Sequence, residues 1–434
     1  MTEEVKKQGG FHYAFLIVAA CICFCAACSL MVNCAGVYMP SVTKTFGASS
    51  AEFMLYFTIL QLAMAITLPV AGKVMNNIDL RVLFTVSGIL CFIGTLILSN
   101  AQALWMLYVG GLFEGVGTAP LLFLAVPKLI GAWCADKVGF FTGLALAFTG
   151  IGGVIFNPVQ QIFINMGPEG WRMGYLAAGI ILLILVLPFS IFVIRNTPAD
   201  KGMKPYGFEK LTQAADPSAA EALNKGIDAA KAMKTLAFYA VAVVALLYAL
   251  NQTVYQMFPA YCNSFANSFP EIAALSATIA SVCMAGLTIG KILLGAVNDK
   301  NSKGGIVVSV GLGIIGVILL MFFPTAAPLL LIGAFLFGFV YAGTTVQSTL
   351  LTRIVFGNRD YANIYSRVSM CSSVGGAFAA TLWGIIVDLP NGYFLMFCMS
   401  LVIMVLIAIF SFYAVSQAKK YVGQSPDIPV ADKE

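Results

Sequence analysis

An all-α polytopic membrane protein, twelve transmembrane helices in two pseudo-symmetric six-helix bundles, is the fold class that the sequence predicts, and three observations predict it. Hydrophobic residues fill 60% of the 434 positions and charged ones only 10%. The apolar residues come in blocks of about 20 or more, the length a helix needs to cross hydrocarbon. A single long polar stretch divides those blocks six and six. A soluble core would give its helices periodic polar faces, and most of these blocks have none. The net charge of +5 therefore bears on orientation in a membrane and not on nucleic acid.

Charges, prolines and glycine clusters punctuate the chain into spans one to twelve at 12–37, 51–72, 82–101, 104–130, 138–163, 173–194, 234–261, 272–297, 304–323, 327–352, 360–387 and 391–416. The expected organisation is a cytoplasmic tail (1–11), a first bundle (12–195), a cytoplasmic linker (196–233), a second bundle (234–418) and a cytoplasmic tail (419–434). With the N-terminus inside, Lys44 and Arg172 alone among 24 Lys and Arg fall at outer loops. The positive-inside rule then places both termini in the cytoplasm of a multi-pass cell-membrane protein. The first block follows Lys6 and Lys7. It is longer than a signal-peptide core and lacks a small-residue cleavage site, so it reads as a retained span.

The two halves are nearly equal in length, and a shift of 223 positions superposes Phe46 on Phe269, Gly72 on Gly295, Asn76 on Asp299, Gly115 on Gly338, and Gly152 and Gly153 on Gly375 and Gly376. One register held across four helices argues for an internal repeat around a central pathway. Gly115, Gly117, Gly150, Gly152, Gly153, Gly286 and Gly290 allow close approach of helix backbones.

These motifs carry a resemblance. The loop Gly295-Ala-Val-Asn-Asp299-Lys300-Asn-Ser-Lys303 is similar to the G-x-x-x-D-R/K signature of the major facilitator superfamily; its partner, Gly72 through Asn76 and Asn77 to Arg81, has Asn in place of the acid. EGVGTAP (114–120), WCADKVGFFTGLALAFTGIGG (133–153), GWR (170–172) and RNTPADKGMKPYG (195–207) resemble, within that superfamily, the monocarboxylate transporters and oxalate:formate antiporters. The resemblance covers all twelve spans. It implies alternating access and a basic residue after a glycine in span eight, typically Arg; here Gly290-Lys291 carries Lys. Lysine is a point charge without the planar two-pronged contact of arginine, which keeps anion preference but loosens substrate identity.

A charge in hydrocarbon is costly unless paired or wetted, so buried ionisable residues mark function. Lys291 stands about 12 Å from the inner edge of span eight, on a stripe with Ser281, Met284 and Thr288. Arg367 stands about 10–12 Å into span eleven, a matching depth that allows both cations to approach one anion. The bland reading is that both long side chains snorkel to headgroups. Under the shift of 223 they fall on Leu68 and Leu144, so the repeat itself requires neither cation. Glu114, near the middle of span four, is the candidate proton carrier; its bland reading is a neutral carboxyl bonded to a neighbouring helix. Asp299 and Lys300 are read as a loop that latches the cytoplasmic side.

Neutral polar residues complete the expected cavity. In span seven, YALNQTVYQMFPAY places Tyr248, Asn251, Gln252, Tyr255 and Pro259 on one helical face, with Pro259 able to bend it. Asn33, Asn157 beside Pro158, and Tyr341 are weaker candidates, since each could serve a single interhelical hydrogen bond.

Eleven cysteines and one histidine, His12, offer no metal-ligand set and no catalytic triad, so no enzyme, no cofactor and no metal are expected. The phosphate-cradling G-x-x-x-x-G-K-[ST] loop is missing, so ATP is not the expected energy source. The sequence thus points to secondary active transport of a small organic anion, a monocarboxylate with proton coupling. A dicarboxylate/monocarboxylate exchanger is the first alternative, since two cations would neutralise a dianion without a proton. A drug or lipid efflux pump requires a wide aromatic cavity, and a non-transporting sensor requires a signalling domain that the short linker and tails do not provide.

Overall fold

The computed structural model describes residues 12–75, 77–208, 226–357 and 359–422. Among them, twelve helices are long and apolar enough to cross a membrane: Ala14–Phe46, Ser50–Val74, Leu80–Ser99, Leu104–Trp133, Val138–Ile164, Gly170–Val193, Leu236–Asn263, Ser276–Asn298, Lys303–Phe322, Ala327–Phe356, Asn363–Val387 and Gly392–Ala418. These are spans one to twelve. Most edges fall within about four residues of the sequence expectation, as the charges and prolines that end apolar runs also end helices.

Span one is the exception, because its helix continues to Phe46 and not to 37. The segment VYMPSVTKTF looks like a polar loop, yet it is a second helix, Ala35–Phe46, that restarts after a break at Cys34. Its hydroxyls are turned inward on their own helix: Thr43 donates to the Met39 carbonyl at 2.7 Å and Thr45 to the Ser41 carbonyl at 2.9 Å. Polar side chains satisfied in this way do not stop a helix. Asp299 and Lys300 are likewise corrected. The span-eight helix runs through both, Ser276–Lys300, so their backbone is a helical turn and not a loop; their side chains lie outside the described residues.

Span four packs closely on both two and three, and span ten on both eight and nine, while across the interface spans two and eleven and spans five and eight form the main contacts. Small residues permit this. A Cβ at Gly115 would enter the Leu60 carbonyl of span two, one at Gly117 the Ser87 carbonyl of span three, and one at Gly286 the Phe335 carbonyl of span ten. In lipid, such close backbone approach takes the place of hydrophobic burial as the source of helix association.

Several motifs of the first half serve packing. Arg172 lies over the Trp171 ring at 4.3 Å and donates to the carbonyls of Ser99 and Ala101, tying the start of span six to the end of span three. The stretch after span six forms a short turn, Pro198–Lys201, fixed by a reciprocal cap between Thr197 and Asp200. Tyr206 then exchanges backbone hydrogen bonds with Trp133 and Ala135 after span four.

Candidate substrate pathway between the two halves

Spans one and seven both break in mid-membrane, and they do so at positions the repeat makes equivalent: Asn33, the last residue before the break in span one, falls on Gln256 under the shift of 223. In span seven the α-helix Leu236–Gln252 gives way to a 3-10 segment, Thr253–Met257, before the helix resumes at Phe258 with Pro259 in its first turn. Three residues per turn in place of 3.6 rotates every downstream side chain about the helix axis. The expected single polar face is split, and it divides already within the α-helical part. Tyr248 points to span nine, its hydroxyl 3.2 Å from that of Ser309, and Asn251 to span twelve, accepting from Ser400 at 2.6 Å. Gln252 and Tyr255 line a small cavity between the halves.

That cavity is bounded by Val32, Phe57, Gln61, Thr253, Gln256 and Tyr341 besides Gln252 and Tyr255. Asn33 organises its rim. The Asn33 oxygen accepts from the Tyr341 hydroxyl at 3.2 Å and lies 3.5 Å from that of Tyr255. Its amide donates to Ser29 at 3.1 Å and to the Thr149 carbonyl in span five at 2.8 Å. The two tyrosine rings stand 5.3 Å apart. Lys291 joins from span eight, partly buried, its Nζ 3.4 Å from the Thr149 hydroxyl and in electrostatic range of Cys25. Neither partner is a carboxylate. Span eight approaches so closely because a Cβ at Gly150 would meet the Thr288 hydroxyl and one at Gly153 would meet Met284 at 2.5 Å.

The other expected residues lie elsewhere. Arg367 is exposed on span eleven with Asp360 as its electrostatic neighbour, so the structure joins the two cations to different partners. Asn157 is buried and bonds the Gly153 carbonyl of its own helix at 2.7 Å, its oxygen left without a partner. Glu114 is 1% exposed and sits inside the first half against Gly94, with Tyr38, Tyr56, Tyr175 and Cys91 as its electrostatic neighbours. Sequence reasoning did not single out Gln61, Thr149 or Gln256. The signal was available, since each is a polar residue inside an apolar span, but Gln256 lay off the face assumed for a continuous helix and Thr149 belonged to a run read for its glycines.

The hydrogen bonds between the halves gather between the middle of the molecule and the face opposite the chain ends. Gln256 donates to the Val32 carbonyl at 2.9 Å and accepts from Gly36 N–H at 2.8 Å, supplying both a donor and an acceptor to backbone groups released by the break in span one. Thr58 and Thr381 are 2.8 Å apart. At the far end the Asp388 carboxylate accepts from the Ser50 and Ala51 N–H groups, at 3.2 and 3.1 Å, at the start of span two. Toward the face bearing the chain ends, Cβ positions at Gly72, Gly139 and Gly143 have no other atom within 4 Å.

Two six-span halves with interrupted first and seventh spans are a transporter architecture, and the comparisons agree. The model of the Major Facilitator Superfamily matches residues 17–380. The chain belongs to the Major Facilitator Superfamily. Monocarboxylate transporter 12-B of Danio rerio is 24% identical over 184 residues, 41% of this chain and 38% of that protein. An uncharacterised MFS-type transporter of Escherichia coli, YhjX, is 22% identical over 345 residues, 78% of this chain and 80% of its own length. This member of the superfamily thus spans well under half the length of the monocarboxylate relatives it matches. Among solved structures, the nucleoside transporter NupG superposes with a TM-score of 0.71 at 13% identity, covering 94% of this chain and all of that one. A bacterial homologue of the lysosomal transporter Spinster, inward-facing and unoccupied, gives 0.68 at 14%, over 95% of this chain and 99% of that one. The family and these neighbours are transporters and not enzymes, as the sequence predicts.

Proposed function

We propose that the protein is a secondary active transporter of a small organic anion, a monocarboxylate moved together with a proton, working by alternating access of the bundles 12–195 and 234–418. The observation that carries the reading is Lys291, a partly buried cation at the interface of spans five and eight whose neighbours are a hydroxyl and a thiol. A charge so placed is a site for a mobile anion. Tyr255, Tyr341 and Asn33 orient the solute, and Glu114 is the proposed proton carrier. The face with the chain ends is the cytoplasmic one of a cell membrane, in keeping with the distribution of Lys and Arg. The fragmentary likeness to monocarboxylate transporters supports the substrate class. Arg367, exposed near the same face, favours a second reading, exchange of a dicarboxylate for a monocarboxylate, if it moves toward Lys291 during closure.

The test is uptake of labelled lactate, formate, oxalate and succinate into proteoliposomes with and without a pH gradient. Monocarboxylate accumulation driven by the gradient is expected, and Lys291→Ala is expected to lower it at least tenfold while Lys291→Arg retains part. Gradient-independent counterflow of oxalate or succinate would instead establish the exchanger, and wild-type uptake by a folded Ala variant would remove Lys291 from the mechanism.

A further inference from the structure

Two carboxamides from opposite halves converge where the cavity meets span eleven. A Cβ built on Gly376 would lie 3.8 Å from Nε2 of Gln61 in span two and 3.9 Å from Nε2 of Gln252 in span seven. Both nitrogens thus stand within 4 Å of one point on span eleven, and one oxygen that accepts from both, at about 3 Å each, requires them to lie within about 6 Å of each other in the closed, loaded state. Neither side chain has a hydrogen-bond partner among the described residues, although both are partly withdrawn from solvent and line the same cavity as Tyr255 and Tyr341. Polar groups so placed are left for a ligand or water. Each amide offers two donors and an acceptor but no charge, so the pair suits a neutral oxygen and gives no compensation to a second carboxylate. Tyr341 of the same cavity bonds Asn33, which bonds the Thr149 carbonyl, and the hydroxyl of that threonine meets Lys291.

We propose that Gln61 and Gln252 form a neutral oxygen-reading subsite that selects hydroxy or keto monocarboxylates over the corresponding plain acids and over dicarboxylates. The inference rests on the carboxylate reading of Lys291 and adds to it which acids are accepted. Because one amide comes from each half, a hydroxyl bonded to both also draws the halves together, so selection and closure share the same contact.

The experiment compares uptake of two pairs of acids into proteoliposomes, lactate with propionate and 3-hydroxybutyrate with butyrate, together with succinate. The wild type is expected to favour the hydroxy acid in at least one pair by about tenfold in kcat/KM, as one satisfied buried hydrogen bond allows. Gln61→Leu and Gln252→Leu are each expected to bring that ratio close to one. Gly376→Ala guards against a folding artefact: its methyl would stand at ordinary contact distance from both amides and is expected to lower the same ratio in a protein that elutes as a single species. A wild type that treats both pairs alike, or Leu variants that keep the ratio, overturns the subsite while leaving the carboxylate reading intact. Uptake of none of the five acids overturns the carboxylate reading and the subsite's substrate with it.

Discussion

At the scale of single residues, position within the packing separates cations and carboxyls of similar depth. Counting residues puts Lys291 and Arg367 at matching depths, yet only Lys291 meets the other half of the molecule, at Thr149. Depth is a one-dimensional quantity, legible in the sequence; the direction a side chain takes depends on the neighbouring helices, which the sequence does not display. Glu114 shows the same limit: its place in mid-span was readable, its enclosure by Tyr38, Tyr56 and Tyr175 was not. If Glu114 carries the coupled proton, Glu114→Gln mimics the protonated state permanently. Exchange of labelled for unlabelled substrate is then expected to continue while accumulation in response to a pH gradient is lost, because net uptake requires the empty carrier to return deprotonated. Both are measured on one liposome preparation, and intact gradient-driven accumulation would leave Glu114 as a packing residue. Gln256→Leu is a test of a different kind. It removes the partner of two backbone groups, Val32 C=O and Gly36 N–H, and is expected to destabilise the protein by about 1–3 kcal/mol, read as a lower unfolding temperature in detergent.

At the scale of elements, hydropathy located eleven of the twelve spans closely, because lipid enforces length and apolarity on every crossing. What it could not show is where a span is interrupted. A break matters only to the neighbours that satisfy the released backbone groups, and Gln256, which does this for span one, is 220 residues away from Gly36. The segment that leads into span seven is held by similar long-range contacts: Asp360, which also accepts locally from Asn363 at 2.6 Å, accepts from Ala229 N–H at 2.7 Å, and Arg359 pairs with Asp228 at 3.2 Å. The Ala229 N–H first, then Asn363, hold the Asp360 carboxyl below the usual aspartate range. A depressed folded value means that this docking is fully present above the unfolded pKa of about 3.9 and is lost as pH falls through the folded value. Asp360→Asn is expected to make the segment around Ala229 more susceptible to protease at pH 7, with the difference between variant and wild type vanishing as pH falls through the depressed folded value.

At the scale of the whole molecule, the repeat was legible and its consequence is visible in the interface. The shift of 223 that carries span two onto eight also carries five onto eleven, so the contact of two with eleven corresponds to that of eight with five. The two contacts have nonetheless diverged in chemistry. The first holds the Asp388 carboxylate and the Thr58–Thr381 pair, the second a lysine and a threonine. Asp388 ends span eleven, and its carboxylate reaches the start of span two, where the positive end of that helix dipole adds to the two hydrogen bonds. On the alternating-access mechanism proposed above, an aspartate there holds the two halves together only while the face opposite the chain ends is closed. Asp388→Asn keeps one of the two acceptor oxygens and removes the charge, and it is expected to weaken that closure by about 1 kcal/mol.

A contact available to only one of two states makes the empty molecule a biased two-position switch, and the bias has a kinetic signature that involves no solute chemistry at all. The half-saturating concentration measured from one side of the bilayer equals the intrinsic value divided by the fraction of molecules facing that side. If the wild type rests as it stands in this structure, with the Asp388 face shut, it should saturate at lower solute concentration from the side of the chain ends than from the other. A change of about 1 kcal/mol in the bias corresponds to roughly fivefold in the ratio of the two populations. Right-side-out and inside-out vesicles of wild type and Asp388→Asn, compared at a single pH, should show the two half-saturation values drawing together in the variant while the intrinsic affinity stays where it was.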